Sequence, residues 1–344
     1  MEHIAIDLGG KKSQVCVREG GGEIVDERAV PTRGLRAYLA SRTVPGRVTM
    51  ETCAEAFAVA DAARELGHEV QVVPSMLVRS LGVGARGVKT DERDARVLSE
   101  ASCRMRALPA VHVPSREARE RKTVCAMREA LVSARTQLIN TARGYLRQSA
   151  IQLPGGASHT FGLRVRKLYR EKLATAVPTF LERQLRAIDA LTGQIDEADR
   201  EVAELAQGNP VCRRLMTMSG VGPVVSVSYV AALDEVGRFQ SAHQLESYLG
   251  LTPGEHSSSE RTRRTGITKA GAPRVRAVLT QAAWTLRRCR PEDPMVRWML
   301  RVEERRGKRI AVIALVRKMA GVLYAMWRDG TVYDPARGAR VLVD

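Results

Sequence analysis

The sequence predicts an α/β domain with a mixed sheet, a helical middle that includes a coiled-coil-like repeat, and a mainly α C-terminal domain. Three observations predict it. Short β-rich runs separated by glycine turns open the chain, helical and buried-strand patterns then alternate, and from Asp91 onward the apolar residues recur at helical spacing. At 344 residues the chain is about two domains by the usual prior of roughly 100 to 200 residues each, so sizeable cores can be buried. The expected division is 1–150, 151–207 and 208–344.

In order, Ile4 to Asp7 and Ser13 to Arg18 read as strands joined by a Gly-Gly turn, and a third run follows Gly20-Gly21-Gly22. This is a β-meander. RGLRAYLASR then reads as a helix, GRVTMET as a buried strand, EAFAVADAARELGH as a helix ending near Gly67, and EVQVVP as a further strand. Strands alternating with helices after a meander are a pattern shared by RNase H-like folds. Between about 115 and 150, Val124, Met127, Leu131, Leu138 and Leu146 stand at helical spacing on a basic background. From Leu181 a seven-residue repeat joins Leu181, Ile188, Ile195 and Val202, with Leu191, Ala198 and Leu205 in a second series. It suits either a coiled-coil seam between two chains or an amphipathic helix packed within its own chain, and Gln184 interrupts it.

A boundary is expected at Gly208-Asn209-Pro210. The last domain opens with two apolar helical stretches joined by Ser219-Gly220-Val221-Gly222, with Pro223 suited to the first turn of the second. The turn resembles a helix-hairpin-helix, whose amides can hold a phosphate, although Gly-Val-Gly also serves as a simple tight turn. Ser241 to Gln244 is a capping-box pattern before a short helix that stops at Gly250. A polar loop, TPGEHSSSERTRRTG, leads to a basic helix from about Lys269 to Arg290, and two more helices fill 293 to 328.

Composition narrows the function. Lys and Arg number 55 against 38 Asp and Glu, a net of +17, which favours a polyanionic partner. Residues 1–110 carry 16 basic and 15 acidic side chains, whereas residues 251–310 carry 15 basic and 6 acidic, so the excess lies in the C-terminal half. Only 14 residues are aromatic, which argues against gripping single strands by rows of stacked rings. Contacts from Arg and Lys to phosphate are expected instead. The first residues lack a secretory pattern and no window approaches ~18 uninterrupted apolar residues, so a cytoplasmic protein without membrane contact is expected. The six cysteines lie tens of residues apart without a C-x-x-C pair, which indicates neither a zinc site nor a disulfide framework.

Four carboxylates stand out. Asp7 ends the apolar run IAID and Glu51 closes GRVTME, where a buried charge is costly unless paired or bound to metal. Asp91 and Asp94 lie three apart in KTDERDAR, on one face of a helix that begins there. Such a quartet could hold Mg²⁺ or Mn²⁺ for phosphodiester cleavage. Taken singly, Asp91 suits a helix N-cap and Asp94 a solvated first-turn acid. Asp7 also fits the phosphate loop of an actin-like kinase, but no second I-x-D-x-G pattern follows.

The stretches MEHIAIDLGGKK, VTMETC, EVQVVPSMLVR, KTDERDARVL, SGVGPVVS, FQSAHQLESYLGLTP and GITKAG, in this order, resemble the insertion-sequence transposases of the IS-one-ten group. The resemblance spans nearly the whole chain. It implies an N-terminal RuvC-like DEDD domain with its quartet at Asp7, Glu51, Asp91 and Asp94, and a C-terminal domain whose serine is the nucleophile. Ser258 matches that serine best, with Ser257 and Ser259 as alternatives. Ser259 stands where the family usually has glycine, and Gly271-Ala272 where it has Gly-Asn. Further implications are a covalent DNA-phosphoserine intermediate, a noncoding guide (bridge) RNA that selects targets, a homo-oligomer (dimer or tetramer), and association with the prokaryotic nucleoid when bound to duplex DNA. Gly220, Gly222, Arg261, Arg263, Arg264 and Lys269 are the candidate nucleic-acid contacts. Two other readings stand beside this one: a RuvC-like two-metal nuclease or resolvase with a structural serine loop, and a non-catalytic nucleic-acid-binding protein.

Overall fold

The computed structural model describes residues 1–78, 91–105, 108–258 and 261–336, without the side chains of Val78, Asp91, 256–258 and 261–264. The chain divides into two compact units, Met1–Pro114 and Ser115–Asp344. That division differs from the one read in the sequence, because the long helix after Pro114 shares its core with the second unit.

The first unit contains β1 (His3–Asp7), β2 (Lys12–Arg18), β3 (Ile24–Pro31), α1 (Leu35–Ala40), β4 (Arg47–Glu51), α2 (Ala56–Glu65), β5 (Glu69–Val73), α3 (Ser75–Val78) and α4 (Asp91–Arg104). The strands form one mixed sheet in the order β3-β2-β1-β4-β5. β1 pairs antiparallel with β2 and β2 with β3, as a meander requires, while β1–β4 and β4–β5 are parallel crossovers that pass through a helix. β1 is the central strand and is buried on both faces, with Ile4, Ala5 and Ile6 fully covered. Alternation sends Ile4, Ile6, Val15, Val17, Val48 and Met50 to the face covered by α1 and α2. Ala5 and Val73 point to the opposite face, which packs against Leu98 and Ala101 of α4.

The second unit begins with α5 (Arg116–Gln148), a helix of 33 residues whose N-cap Ser115 accepts from the Ala118 amide at 3.1 Å. After α6 (Phe161–Leu168), α7 (Thr179–Gly208) runs back along α5. The order of contacts shows that the pair is antiparallel: Arg128 meets Asp199 at 2.6 Å, Arg135 meets Thr192 at 3.3 Å, and the Gln184 amide donates to the Leu138 carbonyl at 2.7 Å. The seven-residue repeat is thus used inside the chain. Leu181 and Ile188 are buried with Ile139, Ala142 and Leu146 of α5, and Val202 joins the C-terminal core. Gln184, which breaks the apolar series, satisfies a carbonyl of the facing helix.

The C-terminal core is built from α8 (Pro210–Leu215), α9 (Pro223–Leu233), α10 (Ala242–Tyr248), α11 (Pro273–Cys289), α12 (Pro294–Arg306) and α13 (Lys308–Asp329). Pro223 opens α9, and Ser241 caps α10 by accepting from the Gln244 amide at 3.2 Å. By length and composition α13 could cross a membrane, yet it is a core helix here. Leu315, Met319 and Leu323 are fully buried, and the buried Tyr229 and Tyr324 hydroxyls donate to the Ala320 and Phe239 carbonyls at 2.7 and 2.8 Å. The stretch expected as a polar loop is instead a two-stranded antiparallel ribbon, β6 (Pro253–Ser258) and β7 (Arg261–Ile267). Backbone pairing alone defines it, since Ser and Arg offer no apolar alternation.

Candidate active site

In the first unit, parallel pairing aligns Ile6 with Met50, so the next residues, Asp7 and Glu51, end neighbouring strands side by side. Strand alternation turns both toward the face that carries His3, Ala5 and Thr49. That face lies under α4. Ser102, near the end of α4, sits 2.9 Å from His3 Nδ1 and 3.2 Å from Thr49 Oγ1, and Cys103 lies against the carbonyls of Glu19 and Gly20. The C-terminal end of α4 is therefore at the start of β1, and its first turn points to the strand ends that bear Asp7 and Glu51. Asp94 in that turn is buried at 5% exposure, on the packed stripe of Ala95, Leu98 and Ser102.

Asp7 and Asp94 both have interactions within the fold, and Asp91 begins α4 with its side chain outside the described set. Among the described residues, no three His, Cys, Asp or Glu side chains form a metal-holding group. Other polar groups hold α4 in register on the sheet: Arg18 donates to Ser99 at 3.0 Å, and Arg96 grips the Glu27 carboxylate at 2.5 and 2.6 Å. Burial lowers the pKa of His3, and nearby Arg47 pushes it the same way, which favours the neutral ring in its bond to Ser102.

In the second unit, Ser258 is the last residue of β6 and pairs with Arg261, while Ser257 pairs with Thr262 and His256 with Arg263. Ser259 lies outside the described residues, and so do the side chains of Ser257, Ser258, Arg261, Arg263 and Arg264. The base of the ribbon is tightly fixed. Gly250 has φ +68° and Gly271 φ +76°, and the two chain segments cross so closely that a Cβ on Gly271 would stand 2.0 Å from the Tyr248 carbonyl oxygen. Lys269, also left-handed at φ +57°, donates its amide to the Gly250 carbonyl at 3.1 Å and leaves its ammonium exposed.

Arg276, which sequence reasoning did not single out, clamps the same crossing by donating to the Leu249 and Ala270 carbonyls at 3.0 and 2.8 Å. The only signal for it was the pair of glycines, since the crossing exists only in the folded chain. Gly220, at φ +88°, presses on α11, where a Cβ would meet the Ala282 carbonyl oxygen at 2.5 Å, whereas Gly222 faces open space.

Ala272 is the N-cap of α11, with extended backbone and no side-chain bond to the helix amides. Asparagine there could accept from a first-turn N–H, so Ala272→Asn is expected to stabilise the second unit by about 1 kcal/mol. Denaturant unfolding of the two chains measures it, and an unchanged midpoint would contradict the cap assignment.

Comparison with known proteins finds two family domains, the first running beyond the compact first unit and through α5. Residues 4–151 match a DEDD domain described as "Transposase", and residues 212–295 match the domain described as "Transposase IS116/IS110/IS902 family". The chain is 28% identical over 342 residues to the "Probable family 20 transposase" of Pseudomonas aeruginosa, covering 97% of this chain and 99% of that one. It is 27% identical over 335 residues to the transposase for insertion sequence element IS1111A of Coxiella burnetii, covering 94% and 88%. The y4qE chain of Sinorhizobium fredii is 32% identical over 300 residues, covering 77% of this chain and 71% of the relative. With a DEDD domain on the mixed sheet and the second domain on the helical core, the chain belongs to the IS110/IS116/IS902 family of transposases, which recombine the DNA of mobile elements.

Proposed function

We propose that the chain is a divalent-metal-dependent recombinase that cuts and rejoins element DNA through a phosphoserine link at Ser258, directed by a noncoding guide RNA. The observation that carries this reading is the placement of Asp7 and Glu51 side by side at the ends of adjacent parallel strands, under the first turn of the helix that bears Asp91 and Asp94. The strand order, three antiparallel strands followed by two parallel crossovers, supports an RNase H-like, RuvC-like domain.

The donor set suits a hard cation such as Mg²⁺ or Mn²⁺, because all four candidate ligands are carboxylates and no thiol or imidazole competes among them. When bound, the cation would polarise the scissile phosphate. The protein's part is to hold the carboxylates on rigid strand ends and to present Ser258 at the tip of a ribbon fixed by Gly250, Gly271 and Arg276. As the Ser258 Oγ bonds to phosphorus, the bond from phosphorus to one sugar oxygen breaks. The serine gives up its proton and the released sugar oxygen gains one. The ester retains the energy of the broken phosphodiester, so attack by another strand's hydroxyl reverses the step without ATP.

Arg261, Arg263, Arg264, Lys269 and the amides of the Gly220–Gly222 turn would hold phosphates around the ribbon. The DEDD domain of one protomer and the serine domain of another would meet on the DNA within a dimer or tetramer. The heptad repeat does not supply that interface, since its buried positions are covered in the same chain.

Asp7→Asn and Glu51→Gln test the carboxylate half. Each is expected to lower metal-dependent strand cleavage by on the order of 10²–10⁴-fold while duplex binding persists. Cleavage at the native rate in either variant would overturn the assignment.

A further inference from the structure

Charge is unevenly spread along the α5–α7 hairpin. Residues 143–172, at the end where α5 turns into α6, carry seven basic side chains and one acidic, a net of +6. The returning helix α7 carries three basic and seven acidic residues, a net of −4. Residues 116–142 of α5 carry six basic and three acidic side chains, so the shaft as a whole is close to neutral and the positive charge is concentrated at the end.

This end has its own apolar core of Ile139, Leu146, Phe161, Val165, Leu181 and Leu185. It is a built structure and not a frayed loop. Leu146 lies 21 positions along α5 from Cys125, which belongs to the C-terminal core, or roughly 30 Å of helix.

Two open concavities lie at this end of the hairpin, one at the end of α5 and one at the end of α6. One of about 660 Å³ is lined by Arg143, Arg147 and Gln152, and one of about 530 Å³ by Arg166, Tyr169 and Arg170. Arg166 is committed to Glu182 and Asp189 at 2.8 and 2.6 Å. Arg143, Arg147, Lys167, Arg170 and Lys172 are exposed, and among the described residues no carboxylate pairs with Arg143, Arg147 or Lys172. The second concavity adjoins a π turn, Tyr169–Leu173, that ends on left-handed Ala174 at φ +49° and carries Arg170 and Lys172 outward. Of the rings at this end, Phe161 is fully buried with Arg143 and Arg164 over it at 5.7 and 5.9 Å from its centroid, and Tyr145 and Phe180 meet edge-to-face at 4.9 Å with Phe180 left exposed. A surface with several exposed cations and, among the described residues, a single exposed ring, Phe180, suits the phosphate backbone of a duplex better than a row of unstacked bases.

We propose that the α6 end of the hairpin is a docking surface for duplex DNA, contacting phosphates about 30 Å of helix away from the C-terminal core. Arg143 and Arg147 fall near the end of the first stretch that matches the family, and Arg170 and Lys172 lie between the two stretches. The inference does not rest on Ser258 or on the carboxylates, so it can fail or hold independently of them.

The test uses the full chain and a labelled DNA duplex of about 40 base pairs, with affinity measured by fluorescence anisotropy between 50 and 200 mM salt. R143Q/R147Q/R170Q/K172Q is expected to flatten the log–log salt slope by about 2.7 if three phosphate contacts are lost. The native chain then loses about 40-fold more affinity over that range than the variant. Lysine at positions 143, 147 and 170 should restore the native slope, since a point charge suffices, and this also shows that the fold is intact. The same slope difference is expected in a Ser258→Ala background. Equal slopes for the native and glutamine chains would overturn the proposal, as would a difference confined to an RNA duplex of the same length.

Discussion

Ser258→Ala is expected to abolish the covalent protein–DNA product and to lower strand exchange by on the order of 10³-fold or more, because the hydroxyl that attacks phosphorus is removed; Ser257→Ala and Ser259→Ala should retain both. The register of Ser258 opposite Arg261 is a main-chain pairing, which alanine can keep. Loss of activity would therefore not reflect unfolding, which circular dichroism checks. The variant separates two chemistries. In a two-metal nuclease the carboxylates act without the serine, so Ser258→Ala would cleave at the native rate while Asp7→Asn would not. In the recombinase both are inactive, and only the serine variant retains the complete carboxylate set.

The largest structural effect is expected from Gly271→Ala. The left-handed φ of +76° costs an L-residue roughly 1–2 kcal/mol, and a Cβ 2.0 Å from the Tyr248 carbonyl oxygen forces the backbone crossing apart. Together these should destabilise the second unit by on the order of 3–5 kcal/mol, lowering its melting temperature by roughly 10 °C. Gly266→Ala, on the same ribbon with nothing within 4 Å of the new methyl, should change stability by less than about 1 kcal/mol. Differential scanning calorimetry of the two variants decides the point. Equal melting temperatures would show that the crossing does not fix the ribbon.

The centre of the sheet could be read from the sequence because β1 and β4 are buried on both faces and glycines adjoin them. Asp7 and Glu51 stood out for the same reason: a charge at the end of a buried run is conspicuous. Their adjacency could not be read, since it depends on which strands pair. The β6–β7 ribbon is not legible in the sequence because its strands carry no period-two apolar signal, and SSSERTRR looks like any polar loop. The heptad repeat identified a seam but not its partner. The partner is α5, whose own stripe ends in Ile139, Ala142 and Leu146. Arg276 and the Gly250–Gly271 crossing were invisible for a further reason: close approach of two backbones leaves glycines in the sequence but not the address of the segment they face.

The proposed mechanism requires a serine of this ribbon to become covalently joined to DNA in a reaction that needs the strand-end carboxylates. Mass spectrometry of the trapped product measures it directly. After trypsin digestion, the peptide spanning residues 239–261 should carry a nucleotide esterified to Ser258 when the native chain reacts with its element DNA and divalent metal, and should be unmodified in Asp7→Asn. DNA strands cut without any protein-linked nucleotide, or a nucleotide found on a residue outside the ribbon, would contradict the claim.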